Sequence, residues 1–197
     1  MDNRESAIAW AAGIVSRRDV LFLDTETTGL GSQAEIVEIA VVDGAGTTIL
    51  HRLVRPSSRI PSEVTEIHGI DDAMVADAPA WPAVFAEFAR LLPRYTSIVV
   101  YNAPFDRRII NQVNQRHGLP PLELDWHCAM RQFAAYAGRR HTLERAARSL
   151  GVPIGPTHRA LDDTRICRGL VNAMAASAHE QARLPEFLTR RGRRLPE

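Results

Sequence analysis

The sequence contains no lysine: all 24 of its basic side chains are arginine. Arginine usage on this scale can follow genome composition, so no mechanism is attached to it. Cysteine is scarce as well. Cys128 and Cys167 are far apart and form no C-x-x-C pair, which argues against a zinc module and offers no disulfide framework; buried free thiols are expected. No long hydrophobic run is present. The longest, Ala7–Val15, is interrupted by Gly13 and is too short to span a bilayer. It follows Asp2, Arg4 and Glu5 with no A-x-A cleavage site, so it reads as an amphipathic helix and not a signal peptide. A cytoplasmic protein with no membrane partner is the expectation. Charge of one sign is missing too: the net charge is +1. That balance does not announce a nucleic-acid binder, although a whole-chain sum hides local patches.

What is present is a chain of 197 residues, 45% apolar, long enough to bury a real core. Residues 1–178 read as one domain, with a helix over 4–17 packed on it, and 179–197 as an Arg-rich tail. Val20–Asp24 and Ile36–Asp43 are short apolar strands. Thr47–Val54 is a third, joined to the second through Gly44-Ala45-Gly46, a hairpin signal. After the break at Pro56–Pro61, a short helix over Ser62–Ile67 ends at Gly69. Trp81–Leu92 is a helix with Val84, Phe85, Phe88 and Leu92 on one face. Ser97–Tyr101 is a fourth strand. Helices follow over Pro104–His117, with proline early in the first turn, then Cys128–Ala137, Thr142–Leu150 and Leu161–Ala175. Three strands in an antiparallel meander, then helices mixed with another strand, predict an α/β domain with a mixed central sheet and flanking helices.

Several acids stand where apolar residues would be expected. Residues two apart on a strand share a face, so Val20, Phe22, Asp24 and Glu26 point one way if the first strand continues. The alternative is a strand ending in a polar turn at Thr25, Thr27, Thr28 and Gly29. Asp106 heads a helical stripe of Ile109, Ile110 and Val113; favourable placement near the positive end of the helix dipole explains an acid there, but not its position on the apolar stripe. Asp163 likewise tops Ile166, Cys167, Leu170 and Met174, whereas Asp162 falls toward the stripe's edge, within reach of solvent or Arg159. Converging carboxylates repel and raise one another's pKa unless cations neutralise them. Oxygen-only sites suit Mg2+ or Mn2+.

The segments Asp24-Thr25-Glu26-Thr27-Thr28-Gly29-Leu30, Asn102-Ala103-Pro104-Phe105-Asp106 and His158-Arg159-Ala160-Leu161-Asp162-Asp163 occur in that order. Together they resemble the three motifs of the DEDDh (DnaQ-like) exonucleases, which have a ribonuclease H-like fold. The likeness runs from about Val20 to Leu170, and Glu66-Ile67-His68-Gly69-Ile70 adds to it. The resemblance implies a 3′→5′ exonuclease with two divalent cations, Mg2+ or Mn2+, held by Asp24, Glu26, Asp106 and Asp163, and with His158 as general base. A histidine suits that role because its ordinary pKa lies near neutrality.

Thr27, Gly29 and Leu30 could meet a terminal nucleotide, since glycine allows close backbone approach and an apolar side chain packs on a base. Phe105 could stack on a base or pack in the core. Asn102 could bind phosphate or cap the helix that follows. The likeness places His68 near substrate, and capping the short helix beside Gly69 is the alternative. The expected partner is a single-stranded 3′ end, DNA ahead of RNA, because Thr-Glu-Thr-Thr-Gly resembles the proofreading and repair branches. Two rivals stay open: an RNA-trimming enzyme of the same fold, and a non-catalytic nucleic-acid-binding or polymerase-accessory module. A polymerase or sliding clamp is a further candidate partner. Gln181-x-x-Leu184-x-x-Phe187 loosely echoes clamp-binding peptides, with chance as the simpler explanation. The tail arginines Arg183, Arg190, Arg191, Arg193 and Arg194 are either a solvated end or a backbone contact for nucleic acid.

Overall fold

A computed structural model describes residues 3–155 and 158–183, with side chains through residue 178. Five strands form one sheet: β1 (Val20–Thr27), β2 (Ile36–Asp43), β3 (Thr48–Leu53), β4 (Ser97–Val100) and β5 (Asp125–Cys128). Their spatial order is β3-β2-β1-β4-β5. The first three pair antiparallel and the last two join in parallel, so the expected meander opens a mixed sheet. The parallel steps require crossovers. These are supplied by α4 (Trp81–Leu91) and by α5 (Ala103–Arg116).

Alternation along β1 splits the core in two. Leu21 and Leu23 join Trp81, Val84, Phe85 and Phe88 of α4 and Ile109, Ile110 and Val113 of α5. Val20 and Phe22 face the other way, onto α1 (Asn3–Val15), α6 (Ala129–Ala137) and α8 (Ala160–Arg183). The N-terminal segment is therefore a helix bedded by Ala7, Ile8, Ala11 and Ile14. Among the described residues no helix is long and apolar enough to cross a membrane. Cys128 and Cys167 are free thiols, and Cys167 is buried.

Three boundaries differ from expectation. β1 does not stop at Asp24: β-branched Thr25 and Thr27 extend its pairing with β2, with a register shift between Glu26 and Thr27, and such irregularities re-aim side chains next to sites. β5 is not anticipated by local pattern. Pro120, Pro121, Glu123 and Asp125 read as a loop, and the four-residue strand exists because β4 offers it a parallel edge. The final helix continues to Arg183, beyond the expected Ala175. Leu184, Phe187 and the last four tail arginines lie outside the described residues.

The short helix α2 (Ser62–His68) closes at Gly69, which takes the left-handed conformation (φ 72°) and donates its N–H to the Thr65 carbonyl, a glycine stop. A one-turn helix, α3 (Asp72–Val75), follows, its N-terminus capped by the Asp71 carboxylate on the Met74 N–H. Thr142 caps α7 (Leu143–Ser149) in the same manner through Arg145.

Candidate functional site

The continuation of β1 puts Asp24 and Glu26 on the face that carries α8. Asp163, in the first turn of α8, meets them there. One carboxylate oxygen from each of Asp24, Glu26 and Asp163 lies within 4.8 Å of the other two. Asp162 is not part of this group, as the helical phase predicts.

Asp106 is placed differently. Its helix packs on the opposite face of the sheet, and at 3% exposure it is buried. Its Oδ1 accepts from the Thr25 hydroxyl at 2.8 Å. Thr25 points to that face by the same alternation that sends Asp24 the other way. Asp106 is nonetheless the foremost charged neighbour of Asp24. Three of the four expected acids thus share a mutual ligand distance, and the fourth acts on Asp24 past the point where β4 stops pairing with β1. Thr25 is a strand residue with a bond to make, not a turn residue, because the strand continues through it.

The electrostatics follow from this crowding. Burial, then Asp106, Glu26 and Asp163, push Asp24 well above the usual carboxylate range. Burial and Asp163 raise Glu26 to about 8. Burial raises Asp106 to about 7 despite the Thr25 bond. Burial raises Asp163 to about 6, against the pull of His158, whose charge and backbone N–H both favour the carboxylate. Among the described residues, His158, Arg159 and the Thr25 hydroxyl offset this crowding only in part. A donor set of carboxylate oxygens at this spacing fits a hard divalent cation.

His158 stands at the entrance to α8 in the left-handed region (φ 62°), where a side chain that is not glycine carries strain. Its side chain is 53% exposed, with Nε2 3.8 Å from Glu144 Oε1 on α7. The next residue, Arg159, is anchored: its Nε and Nη2 donate to Glu38 at 3.0 and 2.6 Å. Glu38, fully buried on β2, also accepts the Ala160 N–H at 2.9 Å and pairs with His51 Nε2 at 2.9 Å. This carboxylate fastens the start of α8 to the sheet, a role that sequence reasoning misses. An acid inside the apolar run Ile36–Val42 is the available signal.

Around the cleft, Thr27 donates its hydroxyl to the Gly29 carbonyl at 2.8 Å. Gly29 holds φ 152° with open space where a Cβ would lie, so conformation and not crowding selects glycine. Leu30 is 77% exposed. The loop after it is fastened by a row of polar residues on α5 spaced four apart. Arg108 donates to the Leu30 carbonyl at 3.0 Å, Gln112 to the Gly31 and Ala34 carbonyls, and Arg116 to the Gln33 and Ala34 carbonyls. The spacing of this row is visible in the sequence, but what it touches is not. Phe105 is half-buried against the core, with the Arg108 guanidinium 5.4 Å from its ring centre. Asn102 is exposed and makes no side-chain cap to α5, so its capping alternative is not realised.

His68, for which substrate contact and capping of the short helix both stand open, is committed to backbone. The ring is buried and both nitrogens are used on backbone. Nδ1 accepts from the Ile70 N–H at 3.0 Å, which leaves Nε2 to donate to the Thr27 carbonyl at 3.3 Å. Burial lowers its pKa. His68 ties the end of α2 to the loop carrying Thr27.

The chain matches the Exonuclease (RNase_T) family over residues 21–170. It is 42% identical over 172 residues to an uncharacterized exonuclease of Escherichia phage 186, covering 80% of this chain and 88% of that protein. It is 30% identical over 166 residues to the DNA polymerase III subunit epsilon of Treponema pallidum, covering 80% and 77%. Exonuclease X, solved in complex with 5′ overhanging duplex DNA, superposes with a TM-score of 0.59 at 32% identity, covering 81% of this chain and 93% of that one. A family match across most of the chain, carried by the strands and helices that gather these acids, makes this protein a member of the exonuclease family of DnaQ-like, DEDDh type.

Proposed function

We propose that the protein removes nucleotides from 3′ ends of nucleic acid, DNA ahead of RNA, at the site formed by Asp24, Glu26, Asp106, Asp163 and His158. The observation that carries this reading is the convergence of Asp24, Glu26 and Asp163 within 4.8 Å, all with raised pKa values and no arginine bonded to any of them among the described residues. These three, with Asp106 beside Asp24, would hold two divalent cations, Mg2+ or Mn2+. Bound there, the cations supply Lewis acidity for a phosphodiester and for the attacking water.

His158 takes the proton from that water. Its exposed ring and position at the start of the helix bearing Asp163 let it reach the reacting face, and Glu144 would stabilise the protonated ring. Leu30 packs on the terminal base, while Thr27 and Gly29 shape the backbone on which the nucleotide rests. Asn102, with its side chain uncommitted to the helix cap, is the phosphate contact from the opposite rim. Phe105 contributes its outer edge only, because its inner face is in the core. A polymerase partner is suggested by likeness to an epsilon subunit.

The test uses single- and double-stranded DNA and RNA labelled at either end, with and without magnesium. Stepwise shortening from the 3′ end that vanishes in chelator and returns with Mg2+ or Mn2+ is the expected result. Full activity in excess chelator overturns the metal reading. Faster cutting of RNA than of DNA overturns the substrate preference.

A further inference from the structure

The cleft has two unlike walls. On one side, α2 and α3 are joined to the Thr27 loop through His68. Residues 59–80 hold five exposed carboxylates (Glu63, Glu66, Asp71, Asp72 and Asp77) against one arginine, Arg59, which lies 3.8 Å from Asp72. On the other side, α7 reaches His158 through Glu144. Residues 139–148 carry four exposed arginines against that one carboxylate. A net charge of +1 conceals this polarity.

We propose that Arg139, Arg140, Arg145 and Arg148 form a binding site for the phosphodiester backbone of the strand whose 3′ end enters the cleft. The inference rests on the exonuclease reading and adds which wall the strand follows. These four line an open concavity of about 650 Å3 together with His141 and Thr142. Arg145 and Arg148 are three apart on α7 and share a face. Among the described residues none of the four has a carboxylate within 4.0 Å. Arg139 is turned onto His141 through Nε at 3.3 Å, which leaves its terminal nitrogens available. Several other arginines are committed within the chain: Arg17 to Asp19, Arg52 to Glu87, Arg159 to Glu38 and Arg168 to the Gly44 carbonyl. Guanidinium forks match phosphate oxygens in pairs, and an exposed, unpaired group of them beside the candidate base is a track for a polyanion. The acidic stretch of α2 and α3 repels the same strand, so the polarity favours approach along α7.

The experiment compares wild type with a variant carrying Arg139→Gln, Arg140→Gln, Arg145→Gln and Arg148→Gln. A control of Arg90→Gln and Arg94→Gln removes charge from the remote face, and the Arg145→Gln/Arg148→Gln pair matches the control in charge. Steady-state cutting is measured on a long single strand and on a dinucleotide across a salt series. Anisotropy of the labelled long strand with metal-free protein reads binding without cutting. The fourfold variant is expected to raise KM on the long strand at least about tenfold and to flatten its log–log salt dependence by about 0.7 for each phosphate no longer neutralised. kcat on the dinucleotide should stay unchanged, and the control should behave as wild type. Equal KM and salt slope in wild type and variant overturn the site, as does an equal change in the control. Absence of cutting by wild type on both substrates defeats the exonuclease reading instead; anisotropy then still decides the arginine site, which falls if the variant binds the strand as tightly as wild type.

Discussion

Glu26 and Glu38 face each other across β1 and β2 as register partners, yet their surroundings drive them in opposite directions. Burial alone would raise both. At Glu38 the Arg159, His51 and Ala160 bonds outweigh it and hold the carboxyl below its ordinary range. At Glu26 no such donor is found among the described residues. Burial is reinforced by Asp163, Glu38 and Asp106, with only partial relief from Arg159. The difference separates two uses of a buried acid. A carboxylate whose lone pairs are filled by the protein holds structure together. A cluster left unfilled stores repulsion that a cation can relieve.

The largest effect that tests this contrast is on turnover. Asp163→Asn is expected to lower kcat/KM at least about a hundredfold, because removing a metal-binding oxygen forfeits several kcal/mol of stabilisation. Asp162→Asn, one residue away but outside the cluster, should stay within about threefold. Comparable falls in both would erase the distinction between clustered and unclustered acids. Next in size is Glu38→Gln. Glu38 is fully buried and Arg159 is partly exposed, so removing the charge weakens the bonds that hold the start of α8 and costs about 2 kcal/mol, or a fall in Tm of about 4–8 °C. Glu26→Gln should leave the metal-free Tm unchanged or raise it. Equal destabilisation by the two glutamine substitutions would make both acids structural.

The pH dependence of the metal-free protein sharpens the contrast further. Carboxyls whose folded pKa is raised bind more protons folded than unfolded, so their contribution is fully present below the unfolded values of about 4. It is lost as pH rises through about 6 for Asp163, about 7 for Asp106 and about 8 for Glu26. Thermal melts in chelator should therefore show Tm falling from about pH 5 to about pH 8. Saturating Mg2+ or Mn2+ should restore about 5–10 °C at the upper end and much less at the lower end. A metal-free Tm that rises over this window contradicts the shifts. The smallest effect is that of Asp24→Asn, which removes one member of the repelling set. A metal-free Tm raised by about 1–3 °C is expected, and a large fall in the same melt would assign Asp24 a structural role.

Periodicity alone distinguishes Asp163 from Asp162, because a helix repeats every 3.6 residues and only one phase continues Ile166, Cys167, Leu170 and Met174. It also places Asp106 at the head of the α5 stripe. What periodicity cannot say is that these two stripes pack on opposite faces of the sheet. Asp163 consequently joins Asp24 and Glu26 directly, whereas Asp106 arrives beside Asp24 in the company of Thr25. For His68 the sequence leaves substrate contact and helix capping open. Packing shows that the ring is buried and bonded to Ile70 and Thr27, a commitment that no local pattern reveals.

The meander, the main helices, the glycine stop of α2 and the ordered acids are legible without coordinates, since each is encoded within one or two turns of local pattern. Long-range packing settles the remainder. β5 is too short and too polar to be recognised without the parallel edge of β4 beside it. Glu38 looks like an error in an apolar strand until Arg159, more than a hundred residues later, is folded against it. The contrast between the acidic wall of α2 and α3 and the basic wall of α7 emerges only once His68 and Glu144 bring both to the same cleft. Local pattern sets the phase of a side chain on its own element. Which other element meets it is set by packing between segments remote in the chain.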